Sequence, residues 1–219
     1  MMAENKTEIA TFHQYNIDVK NREILISGEE SMSEPCNDEP GVDHILSARL
    51  IRNIRILVNE NDKAPILIHM KTCGGDWNEG MAVYDAVKTC PVYVTILNYT
   101  HARSMSSLIL QAADNRVMMP NSEFMFHHGE YGQEGEFITV MNTVEWYKRT
   151  MDTMCNIYVD AMKSTKHSKW RKITKPKIRV WLDDQMDKKN DVYLSAQEAV
   201  DNGFADSIFD GNWNKLIGN

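Results

Sequence analysis

The chain has 219 residues, 31 acidic against 24 basic, with 42% hydrophobic residues and a formal charge of −7. That is enough for one α/β domain with a sizeable core and too little for two full ones. The acidic balance excludes a surface-wide nucleic-acid footprint, and no apolar run reaches the ~20 residues of a membrane span. Cys36, Cys73, Cys90 and Cys155 form no CxxC pair and no regular His/Cys ligand spacing, which argues against structural zinc and fits a reducing compartment. The N-terminus "MMAENKTEIATFHQYN" lacks the basic-then-apolar pattern of a signal peptide, so a soluble cytoplasmic protein without membrane or nucleic-acid partners is expected.

In chain order, residues 1–20 read as a polar arm, with mobile, removable and interacting roles all open to it. "REILISG" reads as a strand and "EESMSEPCNDEPG" as an acidic loop. From Val42 to Asn59, Ile45, Leu46, Leu50, Ile54, Leu57 and Val58 follow helical spacing. "APILIHM" is then a buried strand, "KTCGGD" a glycine turn and Trp77–Lys88 a helix. The pattern repeats with "VYVTIL" as strand, "NYTHAR" as turn and Ser104–Ala113 as helix, and two successive βα units imply a parallel sheet. "RVMMP" and "EFMFHH" add short strands. A long helix follows from Glu136 to Lys163, its Met141, Val144, Tyr147 and Met151 reading as packing rather than a substrate groove. "KHSKWRKITKPKIR" is basic and poorly periodic. "LSAQEAVDNG" reads as a helix with a Ser195/Glu198 capping box and a Gly203 stop.

Several of these residues carry chemistry. Ser104 stands where a strand and turn enter a helix, and the segment by itself favours an N-terminal cap over a nucleophile. Paired glycines in "TCGGD" permit positive φ and bring N–H groups close to a substrate, although a tight structural turn explains them equally well. The spacing excludes a P-loop, since no G-K-S/T follows. Strand alternation predicts His127 and His128 on opposite faces, so at most one shares the side of Ser104. Asp191 is a candidate to orient a histidine, but Asp183, Asp184 and Asp187 lie nearby and composition does not choose among them.

In order along the chain, "ILIHMKTCGGDWNEGMAVYDAVK", "ARSMSS", "MPNSEFMFHH" and "NDVYLSAQEAVDNGFADSI" resemble the ClpP-like serine peptidases, the proteolytic subunits of the Clp family. The resemblance runs from about Arg22 to Ile208. It implies a crotonase-like α/β fold of repeated β-β-α units with a projecting handle helix at about 136–164, a single peptidase domain over 21–210 and a C-terminal tail over 211–219. It implies Ser104 as nucleophile, His127 as general base and Asp191 as the orienting acid, with the N–H groups of Gly75 and Met105 as oxyanion donors. It calls for no cofactor and no metal. Stacked heptameric rings acting on peptides or unfolded proteins are implied, with an AAA+ ATPase as feeding partner because this chain has no Walker A sequence.

The chain departs from the family pattern in ways that mark a divergent member, for instance a viral one. Lys71-Thr72-Cys73 precedes the glycine pair where the family has Asn-Ser-Pro, which removes a proline stiffener. Arg103 replaces a small residue before the nucleophile, Ser106 replaces a glycine and His128 stands in place of a glutamine. Glu29–Gly41 reads as an insertion, and the link to Asp191 is long. Arg103 has three readings: binding an acidic substrate group, pairing with a local acid, or crowding the cleft. Two alternatives therefore stand beside the peptidase: an inactive structural or regulatory ring subunit, and a non-proteolytic acyl-CoA enzyme of the crotonase fold.

Overall fold

The computed structural model describes residues 2–27 and 41–217; most of the acidic loop and insertion, with Cys36, lies outside them. Among the described residues, eight strands form one sheet: β1 (Ile17–Asp18), β2 (Glu23–Ser27), β3 (Ile66–Thr72), β4 (Val94–Arg103), β5 (Asn115–Met118), β6 (Glu123–Phe126), β7 (Val192–Ser195) and β8 (Ser207–Ile208). The helices are α1 (Met2–Tyr15), α2 (His44–Glu60), α3 (Trp77–Lys88), α4 (Met105–Ala112), α5 (Phe137–Ser164), α6 (Lys175–Lys189) and α7 (Ala196–Asn202). The path β2-β3-β4-β5-β8 is parallel, and β1 lies antiparallel to β2. The expected α/β class with parallel crossovers is what the chain adopts.

Alternation along β3 divides the core. Ile66, Ile68 and Met70 join the main cluster beneath the helices, whereas Leu67 turns the other way to meet Leu97, Val117 and Leu216. Both faces of this strand are thus covered, as its unbroken apolar run requires. Helix α2 starts at Asp43, whose carboxylate accepts from the Ile45 and Leu46 amides at 3.0 and 2.8 Å. Helix α7 carries the expected capping box, and Gly203 ends it at φ +86°.

Three segments differ from their sequence reading. "NYTHAR" is not a turn; it continues β4 as far as Arg103. The β3–β4 register slips between Met70↔Asn98 and Thr72↔Ala102, so β4 holds two extra residues there. Beyond that slip β4 exchanges β5 for β6, pairing His101–Arg103 with Glu123–Met125. The basic link is partly helical: α6 tolerates Pro176 in its first turn and buries Ile178, Leu182 and Met186 at four-residue spacing, a stripe masked by surrounding charge. The polar N-terminus forms α1, which stops at Asn16 with φ +58° and is received by buried Asn53, whose amide donates 2.8 Å to the Tyr15 carbonyl.

Candidate active site

The end of β4 passes directly into α4 through Ser104, at φ 49° and ψ −125°. A non-glycine residue with that backbone is strained and needs support from its surroundings. The Ser104 amide donates to the Met125 carbonyl at 3.1 Å, and its carbonyl accepts from the Ser107 amide and hydroxyl at 3.0 and 2.6 Å. Because the Ser107 proton goes to that carbonyl, the Tyr158 hydroxyl, 2.6 Å from Ser107 Oγ, is the donor of the next link. Burial pushes the Tyr158 phenol well up from its ordinary value, so the donor keeps its proton. The Ser104 side chain makes no capping bond to α4. Its Oγ lies 2.8 Å from His127 Nε2 instead.

His127 follows the last residue of β6, and Asp191 lies between the end of α6 and β7. His127 Nδ1 is 3.2 Å from Asp191 Oδ1, the histidine largely buried and the aspartate 40% exposed. The other acids are engaged elsewhere: Asp183 with Arg179 at 2.8 Å, Asp184 with Lys188 at 2.7 Å and Asp187 with His128 at 3.0 Å. Of these four acids, Asp191 is the one in contact with His127. His128 nevertheless shares a cavity with His127 and Ser104. Of the two, His127 meets Ser104 and His128 meets Asp187; both follow the end of β6 at Phe126.

The glycine turn presses against Ser104. A Cβ on Gly74, at φ +106°, would lie 2.8 Å from the Arg103 carbonyl oxygen and 2.9 Å from Met105 N; one on Gly75, at φ +149°, would strike the Val42 backbone at 2.4 Å. In place of the absent proline, a one-residue parallel bridge holds the turn. Val42 N–H donates to Gly74 O at 2.5 Å and Asp76 N–H to Val42 O at 2.9 Å. That pairing spends the groups on either side of Gly75 and directs its own N–H away from Val42. Gly75 and Met105, the first residue of α4 with its amide at the positive helix end, line one cavity with Ser104. Ser106 adds a second brace: its hydroxyl accepts from Arg103 N at 3.0 Å and lies 2.8 Å from the Thr72 carbonyl. Of the three readings of Arg103, the structure takes the local ion pair, with Glu123 as the acid.

The cavity beside Ser104 has a volume of about 460 Å³. Leu108 of α4 and Trp146, Tyr147, Met151 and Met154 of α5 line it. Met151 packs against the main core as the α5 stripe implies, and Tyr147 and Met151 also border this cavity. Nothing in their spacing distinguishes a side chain that fills a core from one that bounds an empty space. A signal was present in the run of two aromatics, Trp146 and Tyr147, on a helix otherwise rich in methionine. Tyr147 also braces the site by donating to the His128 carbonyl at 2.6 Å. Among the described residues, no helix is long and apolar enough to cross a membrane.

Known proteins resemble the chain over most of its length. The chain is 28% identical over 175 residues to the ATP-dependent Clp protease proteolytic subunit of Chlorella vulgaris, covering 78% of this chain and 80% of that protein. It is 25% identical over 171 residues to the protein of the same name from Deinococcus radiodurans, covering 77% and 76%. A third of that name, from Oltmannsiellopsis viridis, is 27% identical over 175 residues, covering 79% and 80%. The family described as Clp protease matches residues 39–212, a span that takes in the glycine turn, Ser104, His127 and Asp191. The chain belongs to the Clp protease family.

Proposed function

We propose that the protein is a serine endopeptidase that hydrolyses peptide bonds without itself consuming ATP, through Ser104, His127 and Asp191. The observation that carries this reading is the Ser104 hydroxyl, which leaves its helix uncapped and lies 2.8 Å from His127 Nε2. A serine hydroxyl is a weak nucleophile until a base accepts its proton. His127 Nε2 takes that proton as Oγ bonds to the scissile carbonyl carbon, and the carbonyl π pair moves onto oxygen. The imidazolium is stabilised by Asp191 on Nδ1, 3.2 Å away. The N–H groups of Gly75 and Met105 receive the oxyanion. Collapse breaks the C–N bond as the leaving amine takes the proton from His127. Water then attacks the acyl-Ser104 carbonyl with His127 again as base, which releases the acid and restores the hydroxyl.

The cavity lined by Leu108, Trp146, Met151 and Met154 suits a large apolar side chain beside the scissile bond. By analogy with the relatives, whose names include "ATP-dependent", the domain at 21–210 works in the cytoplasm in stacked heptameric rings fed by an AAA+ ATPase on a separate chain. The acyl-CoA alternative requires two N–H donors but no serine–histidine contact, and that contact favours the peptidase. Intact-mass measurement after treatment with a fluorophosphonate tests the reading. One adduct is expected, located on Ser104 and lost in Ser104→Ala and His127→Ala. A folded, oligomeric sample that takes no adduct would overturn it in favour of an inactive ring subunit.

A further inference from the structure

Arg103, the last residue of β4, stands immediately before Ser104 and points its side chain along the sheet instead of into the cavity. Its Nε lies 2.6 Å from Glu123 Oε1, and a second guanidinium nitrogen contacts the same oxygen. Its Cζ lies 5.5 Å from the ring centre of Tyr193, within cation–π range. Glu123 opens β6, the strand that delivers His127. Tyr193 belongs to β7, which Asp191 immediately precedes. The strands lie side by side in the order β4, β6, β7, with Arg103 paired to Met125 and Met125 paired to Tyr193. One side chain on the nucleophile's strand thus touches both strands that carry the other two members of the triad.

We infer that the Arg103–Glu123–Tyr193 contact is a cross-strand staple that sets the separation of Ser104 from His127 and Asp191, making Arg103 a positioning residue; this rests on the reading of Ser104 as a nucleophile. The fold gives such a staple a task. After the register slip, β4 is held to β6 by three paired residues. Asp191 sits on the exposed side of the site. A short ladder leaves the strand ends free to splay, and a displacement near 1 Å is enough to cost about a hundredfold in rate. Arg103 and Glu123 side chains are 36% and 35% exposed, and half-exposed pairs add little to global stability. Removing the pair therefore alters geometry more than folding.

The test is the kinetics of fluorophosphonate labelling on the full chain, comparing the parent with Arg103→Gln, Glu123→Gln, Tyr193→Leu and the exchanged pair Arg103→Glu/Glu123→Arg. Circular dichroism and particle size identify the folded samples, and Glu123→Gln and Tyr193→Leu carry the comparison if Arg103→Gln does not fold. The expected result is an approximately tenfold fall in maximal labelling rate for each of the first two variants, with the half-saturating concentration within about twofold of the parent. The exchanged pair should regain most of the loss, which a merely structural role would not produce. Parent labelling with both single variants equally fast, or with changes confined to the half-saturating concentration, would overturn the staple alone. A parent that takes no label would overturn the serine-peptidase reading and the staple with it.

Discussion

Two adjacent positions, Gly74 and Ser104, explain each other at the scale of single residues. Ser104 adopts a backbone that side-chain-bearing residues avoid, and Gly74 is the neighbour whose lack of a Cβ leaves room for that bend. For Gly74→Ala, the added carbon meets Arg103 O, Met105 N and Ser104 Cβ within 2.9 Å, at a φ of +106°. No flexible side-chain tip is available to yield except at the cost of moving Ser104. The substitution is expected to slow labelling of Ser104 by about a hundredfold or more, the scale of a lost oxyanion donor or a misplaced nucleophile. Labelling kinetics on a sample with parent-like circular dichroism would check it; an unchanged rate would mean that the turn is free to shift. The pair of glycines was legible in the sequence as a turn, but its pressure against Ser104 was not, because the contact joins the ends of two parallel strands.

At the scale of elements, the least expected feature is how much secondary structure depends on single buried polar groups. Arg22, in the turn between β1 and β2 at φ +59°, uses all five N–H donors. Nε bonds to Pro65 O, and the two terminal nitrogens bond to Leu57 O, Glu60 Oε2, Asn61 O and Ala64 O, at 2.9–3.1 Å. The Leu57 carbonyl also accepts from the Asn61 amide at 3.0 Å, so Arg22 adds a second bond there and ties the end of α2 to the loop into β3. Arg22→Met is expected to cost about 3 kcal/mol or more, since it leaves several carbonyls unpaired. Urea unfolding would measure it, and a loss under ~1 kcal/mol would show that water replaces the guanidinium. Helix α6 and the β4 extension were illegible for related reasons. The α6 stripe has three buried apolar residues among many charges, and "NYTHAR" is held as strand by pairing with β3, β5 and β6, segments distant in sequence.

At the scale of the whole molecule, α5 divides into two unlike halves. From Thr150 onward it is anchored by Met154, Cys155, Tyr158 and Met162. Burial pushes the Cys155 thiol up to about 12, as expected in an apolar anchor. Toward its start, Phe137 is 79% and Ile138 72% exposed. Large apolar side chains in that position are costly to leave in water, and the proposed ring assembly would give them a surface to be covered by. Phe137→Asp/Ile138→Asp is expected to shift sedimentation toward smaller particles while far-ultraviolet circular dichroism stays at the parent value. Particles of unchanged size would exclude this end of α5 from the assembly contact.

The sequence by itself determined what neighbours along the chain can decide. The α7 capping box of Ser195 and Glu198, the spacing of α2 and the βα repeats around Thr72 and Arg103 all follow from local hydrogen bonding and periodicity. Ser104, His127 and Asp191 were nominated by the resemblance of four segments to the Clp family, not by local pattern. Tertiary structure alone decided that Ser104 Oγ turns from its helix toward His127, that Asp191 and not Asp187 faces Nδ1, and that Tyr147 and Met151 border a cavity. Each is a contact between segments distant in sequence, and its geometry depends on how strand ends are packed side by side, which periodicity does not encode.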